Sequence, residues 1–342
     1  MRILYGVQTT GNGHIVRSKS MIGALRQQGH EVYTILSGCS KKKILDGEFF
    51  QPCERKKGLT FVVEKGRMRF VQTALQLNIV NFYREVFGFA GRDFDLVITD
   101  YEPITARIAN RCSIPSIGIG HLYAFEYNVP RVRSRLFSNW VLRKFAPVNI
   151  PLGLHWHHFD QPILPPMIPE IIRHNDHHEQ VKGKVLVYLP FEDLKAILSE
   201  LKPLTEYEFY VYANVDHPGN EGEIHIRPFS RQGFVKDLLE CSGVICNAGF
   251  TLISEALHLG KKIMTKPVQG QVEQESNCVA LEHLGLATVV RAIEADAVQR
   301  WMNNGTTRAM NFPDVITPLV NWINSGDLDG YADMVRQVWK KI

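Results

Sequence analysis

No apolar run in this 342-residue chain approaches the ~18–20 residues that a membrane-spanning helix requires. The first residues lack the basic start, apolar stretch and small-residue cleavage site of a secretory signal. The protein is therefore expected to be cytoplasmic. Cysteine is sparse: Cys39, Cys53, Cys112, Cys241, Cys246 and Cys278 form no CxxC pair. Cys112, Cys241 and Cys246 sit in apolar contexts and read as reduced core thiols, not as a disulfide framework or a zinc site. No low-complexity tract and no internal repeat is visible, and no nucleic-acid-binding motif accompanies the basic residues.

Apolar residues make up 45% of the chain, enough for a buried core, and the length suits about two domains at the usual ~100–200 residues each. The net charge of +4 is unevenly spread. Residues 1–160 hold 22 Lys and Arg against 12 Asp and Glu, and residues 161–342 hold 17 against 23. The cations gather as Lys41-Lys42-Lys43, Arg55-Lys56-Lys57, Lys65/Arg67/Arg69, and Arg131/Arg133/Arg135 with Arg143-Lys144. A basic half suits an anionic partner, and it equally describes a solvated surface. Residues 131–144 mix these cations with Leu136, Phe137, Trp140, Val141 and Leu142. They read either as a helix burying one stripe or as a segment lying on an acidic membrane.

Strand candidates at 2–8, 31–36, 60–63, 95–99 and 114–119 alternate with helix candidates near 14–28, 68–88 and 102–112. This order predicts a parallel sheet covered on both faces. Residues 147–182 carry Pro147, Pro151, Pro162, Pro165, Pro166 and Pro169, which disfavour helix and sheet alike, so the stretch reads as a linker. Alternation restarts at Lys184, with strands expected at 184–189, 207–212, 223–227, 243–246, 262–265 and 287–290. Helices are expected at 191–201, 231–240, 250–259, 273–284 and 293–303, and across 314–341. The fold class is α/β: two Rossmann-like domains with parallel sheets and a ligand cleft at the carboxyl ends of the strands. The expected boundaries are 1–160, a proline-rich linker at 161–182, a second domain at 183–312, and terminal helices at 313–342 that pack back on the first domain.

After the first strand comes Thr9-Thr10-Gly11-Asn12-Gly13-His14, and position 16, where a third dinucleotide-loop glycine belongs, is Val16. Gly11 and Gly13 are expected to turn the backbone sharply and to present His14 in the cleft. An imidazole there has the right chemistry for a general base. Asp100 ends the run FDLVITD, so its carboxylate faces the same cleft. It orients His14, acts as the base itself, or caps the following helix. Asp93-Phe94-Asp95 precedes a strand and reads as its start rather than as a metal-binding pair. The histidine tracts at 155–160 and 174–179 lack helical metal-ligand spacing. No metal or other cofactor is expected.

In the second half, strand 243–246 runs into Asn247-Ala248-Gly249-Phe250-Thr251 and a helix. Gly249 suits a tight turn and the close approach of a ligand. The free N–H groups of the helix start, with the Thr251 hydroxyl, suit phosphate oxygens. Glu255 lies about one turn further in, placed for a ribose diol. A second strand ends at Lys266, and the next helix opens near Glu273-Gln274.

This stretch resembles the donor signature of nucleotide-sugar glycosyltransferases of the GT-B fold. The resemblance is to UDP-glycosyltransferases and the peptidoglycan N-acetylglucosaminyltransferase group. The spacing from Gly249 to Glu255 to Gly260 and the pair Glu273-Gln274 carry the likeness, and the opening Gly-His loop supports it. The resemblance implies a transferase acting on a nucleoside diphosphate sugar, a UDP-sugar first, and a hydroxyl acceptor; the basic first half suits an acceptor that is anionic or lipid-linked. Asn247, Gly249, Phe250, Thr251, Glu255, Glu273 and Gln274 would hold the donor. Phe229, in the loop after strand 223–227, would line the nucleobase or simply pack in the core. Inversion without a metal is implied too. A nucleotide-sugar 2-epimerase and a non-catalytic nucleotide-sugar-binding protein share the architecture and are the rival readings.

Overall fold

The computed structural model describes residues 1–38, 47–59, 63–64, 66–68, 78–90, 93–132, 144–175 and 179–341. The strands of the first half are β1 (Arg2–Gln8), β2 (Glu31–Ser37), β3 (Cys53–Lys56), β4 (Val63–Glu64), β5 (Arg67–Met68), β6 (Leu96–Asp100), β7 (Ser116–Gly120) and β8 (Ile150–Gly153). Its helices are α1 (Asn12–Gln27), α2 (Ile79–Phe87), α3 (Pro103–Cys112) and the short α4 (Glu170–Arg173). A six-stranded sheet runs β3-β2-β1-β6-β7-β8, all parallel. Every residue of β6 and β7, and all but the first of β1, is buried, as strands covered by helices on both faces must be.

The second half contributes β9 (Lys184–Tyr188), β10 (Glu208–Ala213), β11 (Gly219–Glu221), β12 (Ile224–Pro228), β13 (Gly243–Asn247), β14 (Lys262–Lys266) and β15 (Thr288–Val289). Its helices are α5 (Leu194–Leu201), α6 (Arg231–Glu240), α7 (Phe250–His258), α8 (Val272–Leu284) and α9 (Ala295–Asn304). The order β11-β12-β10-β9-β13-β14-β15 is parallel except for the edge strand β11. Leaving out that edge strand and the β4–β5 hairpin, both sheets have the doubly wound order, which reverses between β1 and β6 in one and between β9 and β13 in the other. Ligand crevices in such sheets form at the reversal.

The two halves pack on each other. His121, just after β7, stacks on Phe250 with ring centres 4.1 Å apart and lies 2.5 Å from Asn277 Oδ1. Trp156 Nε1 donates to Ser254 Oγ at 2.9 Å. The β4–β5 hairpin reaches the second sheet, where Gly66 N donates to Phe191 O and Gln269 N to Gly66 O. The last two helices, α10 (Ile316–Ser325) and α11 (Tyr331–Trp339), return to the first half. His30 Nε2 lies 2.6 Å from Asn324 Oδ1, and Trp339 Nε1 donates to Ile163 O at 2.5 Å.

Several elements differ from the sequence reading, among them β4, β5, β11 and α4, which it did not anticipate. Strand β8 lies inside the stretch read as linker. It is an edge strand, where a proline such as Pro151 is tolerated in a sheet. β3 is built from Cys-Glu-Arg-Lys, which carries no apolar alternation, and most of the strand expected at 60–63 lies outside the described residues. Helix α1 starts at Asn12, so His14 belongs to its first turn and not to the preceding loop. Residues 133–143 and 176–178, part of the basic amphipathic segment and of the second histidine tract, also lie outside the described residues.

Candidate active site

Asp100 is fully buried at the carboxyl end of β6, beside the end of β1. Three donors and one imidazole nitrogen meet its carboxylate. His14 Nδ1 lies 2.9 Å from Oδ1, Arg17 Nη2 donates to Oδ1 at 2.6 Å, Arg17 Nε donates to Oδ2 at 3.0 Å, and Ser18 Oγ donates to Oδ2 at 3.2 Å. Burial alone would push the carboxyl upward. The charge of Arg17, then that of His14, and their hydrogen bonds outweigh it and hold Asp100 below its ordinary value. Asp100 is therefore placed to orient His14, since a carboxylate with both oxygens occupied is a poor base. It does not cap the next helix either: Glu102 does, accepting from Ile104 N and Thr105 N. The residue after Asp100, Tyr101, has a left-handed φ of 55°, a strained backbone of the kind found at functional sites.

The second sheet presents the start of α7 at its own reversal. Among the described residues no side chain caps that helix, which leaves its first N–H groups open to an anion. Glu255 is 3% exposed, and its Oε1 has no hydrogen-bond partner among the described residues. Burial pushes its pKa up to about 7, against the pull of Arg231. Asn247 Nδ2 donates to Glu192 Oε1 and Lys266 O, both at 3.1 Å, while its Oδ1 is likewise without a partner. Lys266 Nζ pairs with Glu192 Oε1 at 2.7 Å.

The two helix starts face each other. A Cβ built on Gly13 would stand 2.4 Å from Thr251 Oγ1, so the first turn of α1 touches the first turn of α7. His14, with a side chain 21% exposed, thus sits where both reversals open, within reach of whatever α7 binds. Such an arrangement can pair a base on one domain with an anion held on the other.

A family model described as glycosyl transferase family 1 matches residues 1–304. The chain belongs to this family. It is a glycosyltransferase of the GT-B fold. No curated protein matches it in sequence. Solved structures share its fold at low identity. The glycosyltransferase of kitacinnamycin is 12% identical with a TM-score of 0.61, covering 98% of this chain and 97% of that one. MurG of Acinetobacter baumannii is 14% identical with a TM-score of 0.55, covering 95% and 99%. SsfS6 of Streptomyces sp. SF2575, a glycosyltransferase complexed with thymidine diphosphate, is 14% identical with a TM-score of 0.53, covering 99% and 94%.

In this glycosyltransferase the expected residues do not all play the expected parts. Gly11 has φ −136° and Gly13 is helical, so neither makes a left-handed turn; Gly13 is needed for the contact with Thr251. Gly249 has φ −77°, not a left-handed one, and its N–H closes a three-residue turn on Asn247 O at 2.7 Å; nothing lies within 4 Å of an added Cβ, so the helix start is left open. Gln274 is buried, and its Oε1 accepts from Val268 N at 2.9 Å, so that oxygen braces the loop. Glu273 lies in the first turn of α8, its charge acting on Arg17, Tyr101 and His121 across the cleft. Phe229 is 39% exposed beyond β12, its ring edge-to-face with Tyr188 at 5.6 Å. Tyr188 in turn accepts from Asn12 Nδ2 at 3.3 Å.

His157 and His158 accept from Phe159 N and Asp160 N, holding their own loop. Among the described residues no three His, Cys, Asp or Glu side chains converge as a metal site would require. The sequence reading missed Arg17, Ser18, Glu192 and His121. Arg17 alone carried a signal, since three residues after His14 on a helix is the same face.

Proposed function

We propose that this enzyme transfers a sugar from a pyrimidine nucleoside diphosphate donor, held at α7, to a hydroxyl acceptor bound against the first domain. His14 Nε2 takes the acceptor's proton as its oxygen forms the bond to the anomeric carbon. The bond from that carbon to the diphosphate breaks, and the leaving nucleotide keeps the electron pair. The carbon inverts, and the helix starts meet the charge on the diphosphate without a metal. Glu255 accepts from the ribose diol. The basic first half suits an anionic or lipid-linked acceptor, and the reaction is placed in the cytoplasm. The donor expected from the sequence is a UDP-sugar; the thymidine diphosphate bound in SsfS6 supports widening this to pyrimidine nucleotides.

The observation that carries the reading is the apposition of the His14–Asp100 pair and the uncapped start of α7. A thermal-shift screen of UDP, TDP, ADP and GDP tests the donor half, because a ligand of the native state raises the melting temperature by mass action. UDP or TDP is expected to stabilise most, and no shift with any of the four would overturn it. His14→Ala tests the chemistry. Donor affinity should stay within about tenfold while turnover falls ~10²-fold or more, the scale of a lost general base. A folded His14→Ala enzyme with a near-native single-turnover rate removes His14 as the base.

A further inference from the structure

We infer that Arg17 is a positioning residue: its guanidinium keeps the buried Asp100 ionised and thereby holds His14 in the tautomer protonated on Nδ1. The inference rests on the reading of His14 as the base, and it can fail separately from that reading.

The four contacts on Asp100, three from fixed donors and one from His14 Nδ1, leave little choice of proton positions. Oδ1 receives Arg17 Nη2 and faces His14 Nδ1; Oδ2 receives Arg17 Nε and Ser18 Oγ. An ionised carboxylate offers about four lone-pair sites, and all are taken. An acid proton on Oδ2 would point at a guanidinium N–H. An unprotonated Nδ1 would set its lone pair against Oδ1 at 2.9 Å. The arrangement that satisfies every atom is a charged Arg17, an ionised Asp100 and a proton on His14 Nδ1. In the neutral ring Nε2 is then the nitrogen with a lone pair, as a base requires.

Arg17 is what selects this state. Asp100 is fully buried, and burial favours the neutral acid; the opposing effect that ranks next is the charge of Arg17. Without that charge a proton on Oδ1 would be donated to His14 Nδ1. The ring proton would then sit on Nε2, a donor where the reaction needs an acceptor. Arg17 Nη2 also lies 3.3 Å from His14 Nδ1, so any movement of the guanidinium is felt directly by the imidazole. Gly120 makes room for the group: a Cβ there would stand 3.0 Å from Asp100 Oδ1 and 3.6 Å from Arg17 Nη2. Tyr5, Tyr123, His121 and Glu273 are the other titratable groups acting on the pair. Each is further from Asp100 in the balance of charges than Arg17, which bonds it twice.

The test is nitrogen NMR of the histidine rings in the full-length enzyme without ligand, with the His14 signals assigned by their loss in His14→Ala. The parent is expected to show a protonated Nδ1 and an unprotonated Nε2 at neutral pH. Arg17→Lys, which retains the charge, should keep that pattern. Arg17→Gln, which retains donors but no charge, should make the Nε2–H form the major one while melting cooperatively. An Nε2–H tautomer in the parent overturns the inference with no variant needed. So does a folded Arg17→Gln enzyme whose His14 stays protonated on Nδ1. Failure of the base assignment shows differently, as near-native turnover in His14→Ala while the parent retains its Nδ1–H ring.

Discussion

Asp100 and Glu255 are buried carboxylates near the same point of two like-ordered sheets, yet their surroundings are opposite. Asp100 ends the strand beside β1, and all its lone pairs are met by His14, Arg17 and Ser18. Glu255 lies in the helix that follows the strand beside β9, and its Oε1 meets no donor among the described residues. One is held below its ordinary pKa and the other is pushed up to about 7. The contrast separates two uses of a buried polar group. A satisfied one fixes geometry before any ligand arrives; an unsatisfied one costs stability that a ligand's donor can restore. The first domain is organised in advance, and the second is organised to be completed.

The sharpest break of this comparison is to remove each carboxylate. Asp100→Ala strands the buried Arg17 guanidinium, and losing one partner of a buried pair costs about 3–5 kcal/mol. Chemical denaturation should show that loss between pH 6 and 8. A loss below ~1 kcal/mol would mean that water reaches Arg17 and that the network is not closed.

Glu255→Gln should move stability the other way, with a pH signature. The folded pKa of about 7 lies above the ordinary 4.5, so the native state binds more protons than the unfolded one between those values. Stability therefore falls as pH rises through that window, by up to ~3 kcal/mol for a shift of this size. Gln cannot ionise and escapes the loss. Melting curves without nucleotide should show Glu255→Gln gaining several degrees on the parent from pH 5 to pH 8. Parallel curves for the two proteins would show that Glu255 is not desolvated. Nucleotide affinity should nonetheless drop by ~1.5–3 kcal/mol, the range for a hydrogen bond to a charged acceptor.

How much of this was legible in the sequence follows the range of each interaction. Alternating apolar runs announced both sheets, because a buried parallel strand must be apolar along its length. His14 and Asp100 were legible as cleft residues because strand ends in this architecture lie at the crevice. Strand β3 was not, since Cys53, Glu54, Arg55 and Lys56 owe their conformation to pairing with β2 alone. The sequence left capping open as one role for Asp100; Glu102 caps the helix instead, a choice settled by side-chain direction. The pairing of Glu192 with Lys266 joins residues 74 positions apart and leaves no local trace.

The smallest expected effect separates the two glycines that looked alike in the sequence. Gly13 touches the other domain, and Gly249 faces open space. An alanine methyl at 13 would stand 2.4 Å from Thr251 Oγ1 and 3.0 Å from Thr251 Cβ, so the Thr251 side chain must turn away or the two helix starts must separate. Forcing an extra methyl into a closed contact costs about 1–3 kcal/mol. Removing the hydroxyl in the double variant Gly13→Ala/Thr251→Ala should recover part of that loss. Gly249→Ala meets nothing within 4 Å, and φ −77° with ψ 138° suits alanine. Its stability should lie within ~0.5 kcal/mol of the parent, as for other open positions. The added methyl nevertheless stands where a phosphate would approach the free N–H groups of α7. Gly249→Ala should therefore melt with the parent and lose most of the stabilisation that UDP or TDP gives, whereas Gly13→Ala should melt earlier and keep it. An unchanged nucleotide shift in Gly249→Ala would move the diphosphate away from the start of α7.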